Sequence, residues 1–304
     1  MPCRSRCALV ASILFVCCPF GATAQLEVSH PRIEDLTTGI KAKVGVAIMD
    51  IETGDTLTID GSGKYPMQSV YKFPLALAVL HRVDEGALSL EQKIHIAKSE
   101  LLPDTWSPMR EKYPEGNVDL TLGQVIRFTV SESDNNGCDI LFRLMGGPPA
   151  VEEYIHSLGV TEIAIVSSEQ EMHREPNLQY QNWSSPAGMG QLLRKLYRGE
   201  VLSKNSTSFL RQIMEQTPTG PRRIKGLLPE GTVVAHKTGS SGADESGLVA
   251  ATNDVGVVTL SSGRRVAIVV FVSDARCEEK ACEDVIARVS RAVWDAYASD
   301  RNPK

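Results

Sequence analysis

The sequence predicts an α+β fold, with an antiparallel sheet assembled from both chain ends, flanked by helices, and an all-α lobe beside it. Three observations point there. Strand-like apolar runs occupy residues 43–60 and then recur only at 232–274. The long interval between them carries helical spacing, and a last helical pattern at 279–298 closes the chain.

The first strand signal is VGVAIMDI (43–50), followed by the turn residues Glu52-Thr53-Gly54-Asp55 and then TLTID, which together read as a hairpin. Helical spacing follows at 69–84, 120–130, 136–145, 149–157, 185–197 and 204–215. TVVAHKTG (232–239), GLVAATNDVGVVTL (247–260) and RRVAIVVFVSD (264–274) are three further strands, the last two joined through Ser261-Ser262-Gly263. The polar stretch VSSEQEMHREPNLQYQNWSSP (166–186) fits neither period and is too long for a plain connector, so it is a functional-loop candidate. Two lobes of this kind leave a cleft between them, where small-molecule sites form.

The chain opens MPCRSRCALVASILFVCCPFGATAQ, with Arg4 and Arg6 ahead of an apolar stretch and Ala22-Thr23-Ala24 as an A-x-A cleavage pattern. Residues 1–24 therefore read as a secretory signal cut after Ala24, which makes the expected location periplasmic or secreted. Cys17 and Cys18 keep a lipoprotein signal as a minor alternative, although Phe15-Val16 lacks the usual small residues. No later stretch approaches the roughly 18 uncharged residues of a membrane helix, so no membrane partner is expected after cleavage. Losing two arginines and no acids moves the formal charge from −5 to −7, without long single-sign runs, which disfavours nucleic acid as a partner.

Cys138, Cys277 and Cys282 remain after cleavage. Cys138 lies in an apolar run and reads as a buried thiol. The pair in CEEKAC either closes into a small disulfide after export or stays reduced, and the sequence favours neither.

PMQSVYKFPL places Ser69 and Lys72 three apart at the start of a helix whose continuation, Phe73, Leu75, Ala76, Leu77, Val79 and Leu80, is too apolar to face solvent. Burial disfavours an ammonium ion, which can turn such a lysine into a base for the neighbouring hydroxyl. Alone, an N-cap serine with a snorkelling lysine explains the pattern as well. Two more motifs shift that balance: Ser133-Asp134-Asn135 between two helices and Lys237-Thr238-Gly239 at the end of a strand.

With these three motifs in this order, the mature chain resembles the class A serine β-lactamases, with a β-lactamase/transpeptidase-like fold. QSVYKF, QYQNW, TGPRRIKGLLP and VVAHKTG are most similar to the extended-spectrum PER and VEB branch. The resemblance implies one catalytic domain at 25–304, with an α/β lobe from roughly 25–66 and 220–304 and an all-α lobe at roughly 67–219. It implies hydrolysis of penicillins and cephalosporins, oxyimino-cephalosporins included, by a monomer; no P-loop or dinucleotide fingerprint occurs in the sequence, so no cofactor is expected.

By the same resemblance, Ser69 is the nucleophile, Lys72 takes or relays its proton, and Ser133 passes a proton to the lactam nitrogen beside Lys237. Asn135 binds the substrate's side-chain amide, whereas Asp134 organises its own turn. Lys237, Thr238 and Ser240 form a shelf for the substrate carboxylate, and the Ser240 N–H is an oxyanion donor. Arg223 stands behind that strand, Arg222 is solvated, and Trp106 is an aromatic wall at the cleft mouth or is packed under a loop. The loop E-Q-E-M-H aligns Met172 with the usual leucine of E-x-x-L-N, so Glu169 is the general base for deacylation, Glu171 and Glu175 are solvated, and His173 replaces the usual asparagine. An imidazole cannot reproduce both the donors and the acceptor of an amide, so the loop's internal bonding is expected to differ.

Three alternatives stay open: a DD-peptidase or penicillin-binding protein, a non-hydrolytic β-lactam sensor, and a metal hydrolase. The six histidines show no H-E-x-x-H or clustered spacing, which argues against the last.

Overall fold

The computed structural model describes residues 29–299. The proposed signal segment, including Ala22–Ala24 and four of the cysteines, lies outside the described residues. Five strands form one antiparallel sheet in the order 56–59, 43–50, 265–275, 249–259, 233–240. The hairpin from the start of the chain thus pairs with the strands from its end, Val46 lying opposite Val270.

Both faces of this sheet are covered, which explains strands that read as continuous apolar runs. Along Lys43–Asp50, Val44, Val46 and Ile48 face one way and pack with Ile33 of the helix His30–Thr37 and with Val285, Ile286, Val289 and Val293 of the helix Glu279–Ser299. Ala47 and Met49 face the opposite way, into a second core shared with the intervening helices. The N-terminal helix has no counterpart among the bounded elements of the sequence reading, because eight residues with Ile33 as their main buried anchor are too short to display a period.

The helix Lys72–Asp84 is the axis of the helical body. Residues 72–80 are buried on every side, against the helices Leu122–Ser131, Asn135–Met145, Pro148–Ser157 and Lys204–Glu215. The stretch 166–186, predicted as irregular, contains a short helix Glu169–Arg174, a 3-10 turn Pro176–Tyr180 and a two-residue strand Trp183–Ser184. Pro176 stops the first of these after six residues, too few for an apolar repeat to show. Among the described residues no helix is long and apolar enough to cross a membrane.

One buried side chain ties the sheet to the segment that enters the axial helix. Asn253 donates from Nδ2 to Pro66 O (2.8 Å) and Met67 O (3.1 Å) and accepts at Oδ1 from Val272 N (3.2 Å). Gly239, on the neighbouring strand, makes the same approach feasible, since a Cβ there would stand 2.4 Å from Met67 O. Asn253→Ala removes the side-chain donor from Pro66 O, one of two donors from Met67 O and an acceptor from Val272 N in a dry interior, so it is expected to lower unfolding stability by about 3 kcal/mol, read from urea titration.

Candidate active site

Ser69 sits on the 3-10 turn Gln68–Tyr71, immediately before the axial helix. Gln68 has φ +47°, a region that costs a side-chain-bearing residue about 1 kcal/mol or more unless neighbours hold it. They do: Met67 N donates to Asn182 O (2.8 Å), Val70 N donates to Met67 O (3.2 Å), and Gln68 Nε2 donates to Gln179 Oε1 (2.5 Å).

Lys72 is fully buried, and its ammonium is the hub of the site. Nζ donates to Ser69 Oγ (3.0 Å), to Ser133 O (2.8 Å) and to Asn135 Oδ1. Those three bonds use all three protons. Glu169 Oε1, 2.9 Å from the same nitrogen, adds the Coulomb attraction of a carboxylate and stands within proton-transfer distance.

Ser133 lies between two lysines. Its carbonyl serves Lys72, its Oγ accepts from Lys237 Nζ (2.9 Å), and its φ of +61° points the two groups to these opposite partners. Burial pushes the Lys237 amine well below the ordinary lysine range, and the Lys72 charge adds to this, so its proton is held less tightly than in water. Asp134 caps the helix Asn135–Met145 through Gly137 N (2.7 Å) and also accepts from Met109 N (2.6 Å) and Ser107 Oγ (2.8 Å). It organises its own turn, as expected from the sequence.

Arg223 is buried behind the strand Val233–Ser240. Its guanidinium donates to Ser240 Oγ (2.7 Å), Gly239 O (3.2 Å) and Asn253 O (2.9 Å), and contacts Glu279 (3.3 Å) and Glu283 (3.4 Å). Arg222 is 69% exposed yet pairs with Glu283 (2.7 Å). Thr238 Oγ1 shares a hydrogen bond with Thr219 Oγ1 (2.6 Å).

A cavity of about 250 Å³ lies beside these parts, lined by Asn135, Glu169 and Ser240 together with Gln68, His173 and Gln179, whereas Ser69, Lys72, Ser133 and Lys237 are not among its lining residues. Trp106 is not among its lining residues. It is 58% exposed rather than packed under a loop, and it reaches the site only indirectly: its Nε1 donates to Glu132 O (2.9 Å), and its carbonyl accepts from Asn135 N (3.0 Å). Among the described residues no group of three metal-ligating side chains occurs.

Comparison with known proteins decides the family. The model of the β-lactamase enzyme family matches residues 30–297. β-Lactamase VEB-1 of Pseudomonas aeruginosa is 45% identical over 91% of this chain and 92% of its own, and extended-spectrum β-lactamase PER-1 of the same organism is 42% identical over 90% and 89%. The chain belongs to the class A β-lactamases. The crystal structure of a β-lactamase from Chitinophaga pinensis superposes with a TM-score of 0.86 at 55% identity, covering 88% of this chain and 98% of that one. TLA-3 extended-spectrum β-lactamase superposes with a TM-score of 0.87 at 50% identity, over 88% and 98%.

This β-lactamase also uses a residue that motif reading passed over. Asp139, four positions beyond Asn135 and so one helical turn along, accepts from Glu169 N (2.8 Å) and Gln170 N (2.9 Å) and thereby seats the helix that carries Glu169. Its spacing from Ser133-Asp134-Asn135 was the available signal. His173 is exposed, while Asn182 holds the loop, accepting at Oδ1 from Val166 N (2.7 Å) and Ser167 N (2.9 Å) and donating to Ser167 O (2.7 Å).

Burial raises the Asp139 carboxyl from 3.8 to about 7, with the Glu169 carboxylate as the next cause. The folded state then binds this proton more tightly than the unfolded chain, so the group's contribution is present at low pH and is lost as pH rises from about 4 through about 7. Urea midpoints of the wild type are expected to fall across that window, and Asp139→Asn should flatten this part of the profile.

Proposed function

We propose that this enzyme hydrolyses penicillins and cephalosporins, oxyimino-cephalosporins included, through an ester on Ser69. The observation that carries the assignment of roles is the continuous chain of contacts from Glu169 through Lys72 to Ser69 and Ser133, and on to Lys237.

Lys72 touches both a carboxylate and the nucleophile. Transfer of its proton to Glu169 leaves an amine that can accept the Ser69 proton as Oγ attacks the lactam carbonyl. The backbone N–H groups of Ser69 and Ser240 receive the developing oxyanion, each such donor typically contributing about 3 kcal/mol. The ring nitrogen takes its proton from Ser133, which Lys237 restores. Return of the borrowed proton from Glu169 to the amine left on Lys237 restores the carboxylate, whose Oε1 accepts a proton from the water that cleaves the ester, which separates hydrolysis from permanent acylation. Lys237, Thr238, Ser240 and Arg223 supply cationic and hydroxyl groups for the substrate carboxylate, and Asn135 binds the side-chain amide.

In the same reading, residues 1–24 are an export signal removed after Ala24. Residues 25–304 form the catalytic chain, with an α/β lobe from roughly 25–66 and 220–304 and an all-α lobe at 67–219, acting as a monomer in the periplasm or outside the cell. The placement of the five-stranded sheet and of the axial helix supports this division.

Nitrocefin turnover combined with intact-mass analysis tests the proposal. Wild type should turn over with no lasting adduct, Glu169→Ala should accumulate a penicilloyl adduct with turnover reduced at least about 1,000-fold, and Ser69→Ala should show neither. A stable adduct on the wild type would select a penicillin-binding or sensor protein instead. For breadth, kcat/KM for ceftazidime should be comparable to that for a small penicillin, and undetectable ceftazidime turnover would remove the extended-spectrum part.

A further inference from the structure

The connection between the last strand and the last helix carries two thiols that take no part in the chemistry above. Cys277 lies between the strand Arg265–Ala275 and the helix Glu279–Ser299, and Cys282 lies in that helix's first turn. Their sulfurs stand 3.6 Å apart, so a movement of roughly 1.5 Å reaches covalent distance. Cys282 is buried in the core beneath the sheet, and Cys277 packs half-buried against the same core. The third thiol, Cys138, is fully buried against Tyr71 in the helical body and does not compete.

The turn that these thiols bracket matters because of its acids. Glu279 lies within it and Glu283 immediately after it, and both grip Arg223. Arg223 in turn holds Gly239 O, Ser240 Oγ and Asn253 O at the cleft-side end of the sheet.

We infer that Cys277 and Cys282 form a disulfide that staples the end of the sheet to the first turn of the terminal helix and so fixes Glu279 and Glu283 against Arg223. The oxidant is a small-molecule or protein disulfide. The half-exposed Cys277, as thiolate, attacks one of its sulfurs and releases a first thiol. Cys282 then gives up its proton, its sulfur attacks that of Cys277, and a second thiol leaves. Two protein thiols lose two hydrogens, and one disulfide is reduced to two thiols. Burial and the adjacent Cys277 raise the Cys282 thiol to about 12, which makes Cys277 the entry point.

The test does not depend on turnover. Trypsin cuts after Arg276, Lys280 and Arg288, so it separates the two cysteines into peptides 277–280 and 281–288. After incubation of the wild type with oxidised glutathione and alkylation with iodoacetamide, a non-reducing digest should contain these peptides joined as one species. Recovery of both as separate alkylated peptides, or as separate glutathione adducts, overturns the cross-link. Dithiothreitol should lower the Tm of the oxidised wild type by roughly 3–6 °C and leave Cys277→Ser unchanged. Hydrogen exchange at amides 279–283 and 239–240 should quicken on reduction in the wild type only. Equal exchange in the two redox states would overturn the link to Arg223.

Discussion

A single buried ammonium constrains the site. Lys72 sits on a helix that is apolar all round, so its charge has no route to solvent, and an unpaired charge there would cost several kcal/mol. Its protons go to Ser69 Oγ, Ser133 O and Asn135 Oδ1, and its charge is offset by Glu169. These partners come from three separate segments: the turn before the axial helix, the junction between two other helices, and the loop after residue 166. Folding the helical body therefore gathers a hydroxyl, a backbone carbonyl, a side-chain amide and a carboxylate around one nitrogen. Lys72 thus has three protons for four close neighbours, and the carboxylate among them stands 2.9 Å away, near enough to exchange a proton with it.

The second lysine is placed by the sheet. Lys237 lies on the strand Val233–Ser240, which approaches the Ser69 segment closely because Gly239 offers no Cβ to Met67 O. Asn253, on the adjacent strand, bonds the carbonyls of Pro66 and Met67, so the sheet and the start of the axial helix are held in register by buried hydrogen bonds rather than by apolar contact alone. Arg223 performs the matching task at the strand's end. The distance between the two lysines, with Ser133 between them, is thus set by two rigid bodies meeting, and the positive φ of Ser133 lets one residue serve both.

The five strands, the long helices and the three motifs were legible because each expresses a repeat or a spacing over enough residues. Lys43–Asp50 and Lys72–Asp84 announce themselves through apolar content that only burial on all sides explains. Helices His30–Thr37 and Glu169–Arg174 are too short for a period, and their existence depends on docking partners distant in sequence. Asp139 escaped notice for a related reason. An aspartate in mid-helix looks solvated until the fold places two backbone N–H groups from a loop thirty residues on within its reach. Asn182 was likewise an unremarkable loop residue until its three bonds to residues 166 and 167 were visible.

Those two residues explain how the loop tolerates histidine at 173. The direction of Glu169 is set from below and from either side of it. Ser168 caps its helix through Glu171 N (3.3 Å), Asp139 seats the first two amides, and Met172 is buried beneath, accepting at Sδ from Asn182 Nδ2. None of these contacts passes through His173, which lies exposed on the cleft rim with Gln179. Changing residue 173 therefore alters the wall of the cleft while leaving the carboxylate's position to other groups. The shape of the cleft rim and the placement of the Glu169 carboxylate are then independent of each other, because different side chains carry them.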